Sequence, residues 1–312
     1  MRIGTRRSEL ALAQAKLLAG LLRGVQQGGD CEIVPILTRG DRRGQAETEG
    51  TGEDKSRWVA ELEDALLRGE IDLAVHSAKD VPGELAAGLQ LLGAPARAGA
   101  EDVLCGAGGL EALAPGARVG TSSVRRIAQL RAWRDDLEPV AIRGNVDTRL
   151  RKLADPGERL DALVLARAGL QRLGREAEVG AVLDPQRFVP APGQGILAVE
   201  GRDDDERARA AAQAITDADA FACLRAERAL ARGLDASCHT PLGAHAAPAG
   251  CGCLLLRAWV GLPDGSAWVG DELLGGFYDP DELGRRVAER MTLAGAGELL
   301  AQAAGMAGVG RA

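Results

Sequence analysis

IDLAVHSAKDVP (71–82) opens on an almost unbroken apolar run, IDLAVHS (71–77), and then breaks at Lys79, Asp80 and Pro82. An apolar run without strict alternation is the pattern of a strand buried on both faces, as in a parallel sheet covered by helices. The flanking sequence agrees. WVAELEDALLRG (58–69) has helical apolar spacing and stops at Gly69. Residues 2–4 begin a short strand, and SELALAQAKLLAGLL (8–22) reads as a helix with Ser8 as its cap. CEIVPILT (31–38) is a further strand. Strands alternating with helices predict an α/β domain.

The pattern then restarts. RVGTSSVRRIAQLRAW (118–133), PVAIRGNVDTRLRKL (139–153) and LDALVLARAGLQRLG (160–174) each read as strand, turn and helix, so residues 101–190 form a second α/β unit. PAPGQGILAVEGR (190–202) reads as a segment crossing back to the first unit. Next come a helix (217–234), a hairpin turning at PDG within 254–273, and closing helices within 279–304: an α+β third unit. The expected boundaries are 1–96 with 196–213, then 100–190, then 217–312. A chain of 312 residues is too long for one ordinary core.

Composition narrows the function. The chain is 46% apolar and 27% charged, which is globular, with net charge −7. That acidity, with only 3% aromatic residues, argues against nucleic acid as a partner. No apolar run reaches the ~18 residues of a membrane span, and the N-terminal stretch lacks a signal-peptide core, so the expected location is cytoplasmic. The six cysteines are scattered, and reduced thiols are expected.

Lys16, Lys55, Lys79 and Lys152 are the only lysines, so the cationic character is almost entirely arginine. Arginine stands beside glycine or serine at four predicted strand-to-helix turns: RIGTRRSELA (2–11), VGTSSVRRIAQL (119–130), AIRGNVDTRLRKL (141–153) and VLARAGLQRLG (164–174). Guanidinium forks and free N–H groups at helix starts both suit carboxylate or phosphate. Gly144 and Asn145 favour a turn that a ligand can approach closely. Neither a P-loop nor G-x-G-x-x-G is present, so nucleotide chemistry is unsupported.

Lys79 and Asp80 follow the carboxyl end of a buried strand, where open α/β sheets bind ligands. A carboxylate there can transfer a proton or stabilise a developing cation; an exposed loop ion pair is the other reading. His76 lies inside the apolar run and reads as a core histidine. Cys238, in ASCHTPLGAH (236–245), reads either as an accessible, reactive loop thiol or as a merely tolerated residue. The polar, aperiodic stretch 41–57 reads as a lid or a disordered loop.

Taken in order and spacing, RIGTRRSELALAQA, TRGD (38–41), HSAKDVP, GTSSVRR, IRGNVDTRL, APGQG and the Cys238 turn resemble the porphobilinogen deaminase (hydroxymethylbilane synthase) family over essentially the whole chain. The resemblance implies two domains like the lobes of type II periplasmic binding proteins and a smaller α+β domain bearing the cofactor. It implies a transferase of tetrapyrrole and haem biosynthesis. Four porphobilinogen molecules are joined head to tail with release of ammonia, and the linear hydroxymethylbilane is then hydrolysed off. It implies a dipyrromethane primer in thioether linkage to Cys238, and a monomer with no nucleic-acid or membrane partner.

By the same resemblance, Asp80 is the catalytic carboxylate, facing the cleft between the first two domains and stabilising the azafulvene cation, with Lys79 beside it. Cys238, Arg125, Arg126, Ser123, Thr121, Ser122, Lys79, Asp80, Arg143 and Gly144 would hold the cofactor. Arg6, Ser8, Arg143, Arg149, Arg172, Gln194 and Trp58 would hold the substrate. No metal is implied. Lys55 and Trp58 match the family's lid in position, while Ser56 and Arg57 replace its usual glycine and apolar residue. From the residues alone, a binding module of the periplasmic type remains the alternative; Asp80 and Cys238 distinguish the two, because a pure binder needs neither.

Overall fold

The computed structural model describes residues 1–25, 29–38, 56–237, 239–250 and 252–309, with side chains of 56–58 and 307–309 not described. Two compact units emerge: Met1–Ala98 with Gly195–Phe221, and Gly99–Gln194 with Ala222–Ala312.

In the first unit, strands β1 (Arg2–Arg6), β2 (Glu32–Ile36), β3 (Leu73–Ser77), β4 (Leu89–Gly93) and β10 (Leu197–Arg202) form one sheet in the order β2-β1-β3-β10-β4. β1 runs parallel to β2 and β3, whereas β10 is antiparallel to β3 and β4. The run 71–77 is therefore covered on both faces, but in a mixed sheet rather than a wholly parallel one. The returning segment 190–202 supplies the reversed strand.

Helix α1 (Glu9–Arg23) starts where the Ser8 hydroxyl accepts from Ala11 N. Its stripe Leu18, Ala19 and Leu22 packs on Ile3, Leu73, Val75, Leu197 and Val199. Helix α2 (Ser56–Leu67) lays Leu62 and Leu66 with Ile71 and Leu89 in a separate cluster. Each such side chain, fully buried, contributes roughly 1.5–3 kcal/mol. The amphipathic spacing thus fixes the sheet between two apolar layers.

In the second unit, β5 (Asp102–Cys105), β6 (Arg118–Gly120), β7 (Glu138–Val140), β8 (Ala162–Ala166) and β9 (Ala181–Val182) repeat that plan in the order β7-β6-β8-β5-β9. Parallel β7, β6 and β8 are followed by antiparallel β5. Helices α3 (Val124–Trp133), α4 (Val146–Ala154) and α5 (Arg167–Arg172) follow β6, β7 and β8. Apolar side chains form two clusters, one around Leu104, Val119, Leu130 and Phe188, the other around Val103, Ile142, Leu163 and Leu170.

After α6 (Glu206–Ala214) and α7 (Ala218–Gly233), an antiparallel sheet of β11 (Leu242–Pro248), β12 (Cys253–Gly261) and β13 (Trp268–Gly276) precedes α8 (Pro280–Leu293) and α9 (Ala296–Val309). The hairpin turns at Gly265, whose φ is +77°, as PDG predicted. The fold is α/β with a smaller C-terminal α+β part. Among the described residues, no helix is long and apolar enough to cross a membrane.

Candidate active site

The first unit gathers Arg6, Ser8, Lys79 and Asp80 on one edge of its sheet. β3 ends in a short 3-10 turn, Ala78–Asp80. Ala78 N donates to Ile196 O at 3.0 Å, and Val81 N donates to Ala78 O at 3.2 Å. The Ser77 hydroxyl accepts from Gln14 Nε2 at 2.8 Å. The turn carrying Lys79 and Asp80 is thereby tied to β10 and to α1, and both side chains are half-buried. Arg6 ends the parallel neighbour β1, so it shares the carboxyl edge of the sheet with Asp80. Ser8 follows as the α1 cap; its oxygen accepts there, which leaves its O–H to donate elsewhere. His76 does lie in the core: its Nε2 is 2.8 Å from Oε2 of fully buried Glu200.

In the second unit the arginine turns divide into two kinds. Arg125 and Arg126 sit in the first turn of α3, with the Ser123 hydroxyl capping it through Arg126 N at 3.5 Å. Both guanidiniums are buried against Asp102, at 2.8 Å from Arg125 Nη2 and 2.7 Å from Arg126 Nη2. Further donors reach main-chain carbonyls: Arg125 Nη1 to Val189 O at 2.7 Å, and Arg126 Nη1 to Val164 O at 2.8 Å. Burial acts to raise the Asp102 carboxyl, but the two guanidiniums outweigh it and hold it down at about 2. Gln194 Nε2 donates to the same carboxylate at 3.0 Å and to Ala100 O at 2.7 Å.

Arg143 belongs to the other kind. It is exposed on the turn after β7, where Gly144 takes φ +114°. A Cβ at Gly144 would lie 2.6 Å from Thr148 Cγ2, so only glycine fits. Asn145 caps α4 through Thr148 N at 2.8 Å, and Arg149 Nε donates to Gly144 O at 2.9 Å. Arg172, half-buried at the end of α5, has its guanidinium pushed down to about 10 by burial. The Thr121 hydroxyl accepts from Ser123 N at 3.2 Å. The Ser122 hydroxyl is closed between the N–H and C=O of Ile142, at 3.0 and 2.7 Å. These two hydroxyls shape the turn. Cys238, the Trp58 side chain and residues 41–55 of the expected lid lie outside the described residues.

Besides Glu200 beside His76, sequence reasoning missed two buried carboxylates. Asp102 begins β5, and a charge heading so short an apolar run as VLC left the strand itself unread. Glu227 lies on α7, fully buried, and accepts from Gly193 N at 2.5 Å and Ala246 N at 2.8 Å. Its signal was present: Cys223, Glu227 and Leu230 share one helical stripe, and the stripe is apolar but for the carboxylate.

Residues 1–210 match the family model described as porphobilinogen deaminase, dipyromethane cofactor binding domain, and residues 221–292 match the porphobilinogen deaminase C-terminal domain. The chain belongs to the porphobilinogen deaminase family. A porphobilinogen deaminase of Xanthomonas euvesicatoria pv. vesicatoria is 46% identical over 304 residues, covering 97% of this chain and 99% of that protein. The porphobilinogen deaminase of Deinococcus deserti is 43% identical over 304 residues, covering 96% and 97%. Among solved structures, a methionine-binding protein, MetQ, shares 14% identity at TM-score 0.43, covering 69% of this chain and 89% of its own. A periplasmic substrate-binding protein from Coxiella burnetii gives a TM-score of 0.41 at 14% identity, covering 69% and 91%.

Porphobilinogen deaminases are transferases of tetrapyrrole synthesis, and the cofactor of the family is dipyrromethane. The donor set of the second unit fits that group, whose rings each carry an acetate and a propionate. Among the described residues Arg125 Nε is a buried N–H without a hydrogen-bond acceptor, Arg143 is exposed beside a turn open to close approach, and Arg172 is a partly desolvated cation. All three are cationic groups with which a carboxylate can pair.

Proposed function

We propose that this chain condenses porphobilinogen head to tail on a dipyrromethane bonded to Cys238, with Asp80 as the catalytic carboxylate. The observation that carries the reading is the braced turn at the end of β3, which presents Lys79 and Asp80 at the same sheet edge as Arg6 and Ser8. Asp80 accepts the pyrrole N–H of porphobilinogen. As the C–N bond of the protonated aminomethyl group breaks, its electron pair leaves with nitrogen as neutral ammonia, and the positive charge passes to the pyrrole and its exocyclic carbon. A fixed carboxylate beside that nitrogen stabilises the charge as it develops. Lys79 and Arg6 hold substrate carboxylates, and Ser8 donates its O–H. The bound dipyrromethane supplies the nucleophilic pyrrole carbon at which the product grows.

Arg143, Arg149 and Arg172 are proposed to anchor acetates and propionates of the growing chain, with Trp58 at the substrate. Arg125, Arg126 and Gln194 act from the Asp102 network, and Thr121, Ser122, Ser123 and Gly144 set the turns. The domain boundaries proposed are 1–96 with 196–213, 100–190 and 217–312. A cytoplasmic monomer whose partner is its small-molecule substrate, with no nucleic acid or membrane, completes the proposal.

Cys238→Ala tests the attachment. Intact mass of the wild-type protein should exceed the sequence mass by one dipyrromethane, and the alanine variant should lose both adduct and activity. A fully active alanine variant would refute the proposal.

A further inference from the structure

Asp102 is fully buried, and three side chains that the family resemblance assigns to ligands converge on it. Arg125 reaches Oδ2 at 2.8 Å, Arg126 reaches Oδ1 through Nε at 3.0 Å and Nη2 at 2.7 Å, and Gln194 reaches Oδ1 at 3.0 Å. Two guanidiniums against one carboxylate leave one positive charge in the cluster. Both arginines stand in the first turn of α3, where the helix dipole adds to their mutual repulsion. A buried ion cluster is a poor way to gain stability, because apolar packing of similar volume does as well or better. The cluster is also incomplete, since Arg125 Nε is buried with no acceptor among the described residues.

We propose that Asp102 is a positioning residue for primer assembly: it holds Arg125 and Arg126 side by side in one orientation and leaves their surplus positive charge for one carboxylate of the ligand. The carboxylate cancels one of two like charges that could not otherwise share the site. Its two oxygens divide the arginines between them, so each fork keeps a defined direction. Gln194 steadies the carboxylate, and Glu227 holds the adjoining Gly193 N–H. This inference rests on the function proposed above.

The test uses wild-type protein and Asp102→Asn, both made in cells that cannot synthesise porphobilinogen, so that neither carries an adduct. Each is titrated with porphobilinogen. Intact mass gives the fraction of chains bearing the adduct, and thermal melts run in parallel. The concentration for half-loading should rise at least tenfold in Asp102→Asn, with the final fraction close to that of the wild type. An unchanged half-loading concentration, whether the final fraction is equal or smaller, would mark Asp102 as merely structural and overturn the inference. Should Asp102→Asn not fold, Gln194→Met removes a donor to the carboxylate while keeping every charge; about a threefold rise is expected, and wild-type loading would overturn the inference. A wild-type chain that takes up no adduct refutes the proposed function itself.

Discussion

Replacing Arg126 by methionine should unfold the second unit earlier, and the size of the effect follows from its contacts. The guanidinium donates twice to Asp102 and once to Val164 O, all in the buried interior. Removing one partner of a buried ion pair costs about 3–5 kcal/mol. Here Asp102 keeps Arg125 and Gln194, which places the loss near the lower end, about 3 kcal/mol. The Val164 carbonyl is left without that donor, and methionine refills most of the volume. At about 2–4 °C per kcal/mol for a large domain, the melting temperature should fall by roughly 6–12 °C. Differential scanning calorimetry on adduct-free protein isolates this from any effect of bound primer. Arg23→Leu, exposed at the end of α1, is the control and should stay within about 0.5 kcal/mol. A shift below about 2 °C for Arg126→Met would mean that the buried network does not hold the unit together.

Acid should expose the same network. The Asp102 carboxyl is held at about 2, below its ordinary value of 3.8. A depressed folded-state value gives stability that is complete above the unfolded value and is lost as pH falls through the folded one. The loss should therefore run from about pH 4 down to about pH 2 and reach about 2 kcal/mol. Urea unfolding at stepped pH measures it, and a flat profile across that window would count against the buried pair. Arg143→Leu removes an exposed cation, so its melt should match the wild type. Elongation should nevertheless slow by about one to two decades, as loss of a charge-assisted carboxylate contact predicts; a lowered melting temperature with normal elongation would reverse that assignment.

Much of the fold was legible because strand and helix periods alternate cleanly. Ser8, Gly69 and the PDG turn each sit where local chemistry required a cap or a reversal. The direction of β10 was not legible, since an apolar run such as ILAV says that a strand is buried but not which way it runs. The site was legible as residues but only partly as roles. GTSSVRR promised two open guanidiniums and three ligand hydroxyls; the fold spends Arg125 and Arg126 on Asp102, and Thr121 and Ser122 on their own turn. Those partners are distant in sequence, 24 residues apart for Arg126 and Asp102, and no local pattern links them. Asp72 is a similar case. It accepts from Arg2 N at 2.7 Å and Arg2 Nη2 at 2.6 Å, so it secures the start of β1 at the opposite end of β3 from Asp80.

That contrast sets the measurement closest to the central claim. Single-turnover ammonia release from cofactor-loaded protein should fall by about 10²–10³ in Asp80→Asn, the usual cost of losing one preorganised electrostatic contact. Asp72→Asn should loosen the fold slightly and release ammonia at the wild-type rate. Release at the wild-type rate from Asp80→Asn would make Asp80 a structural residue and contradict the mechanism.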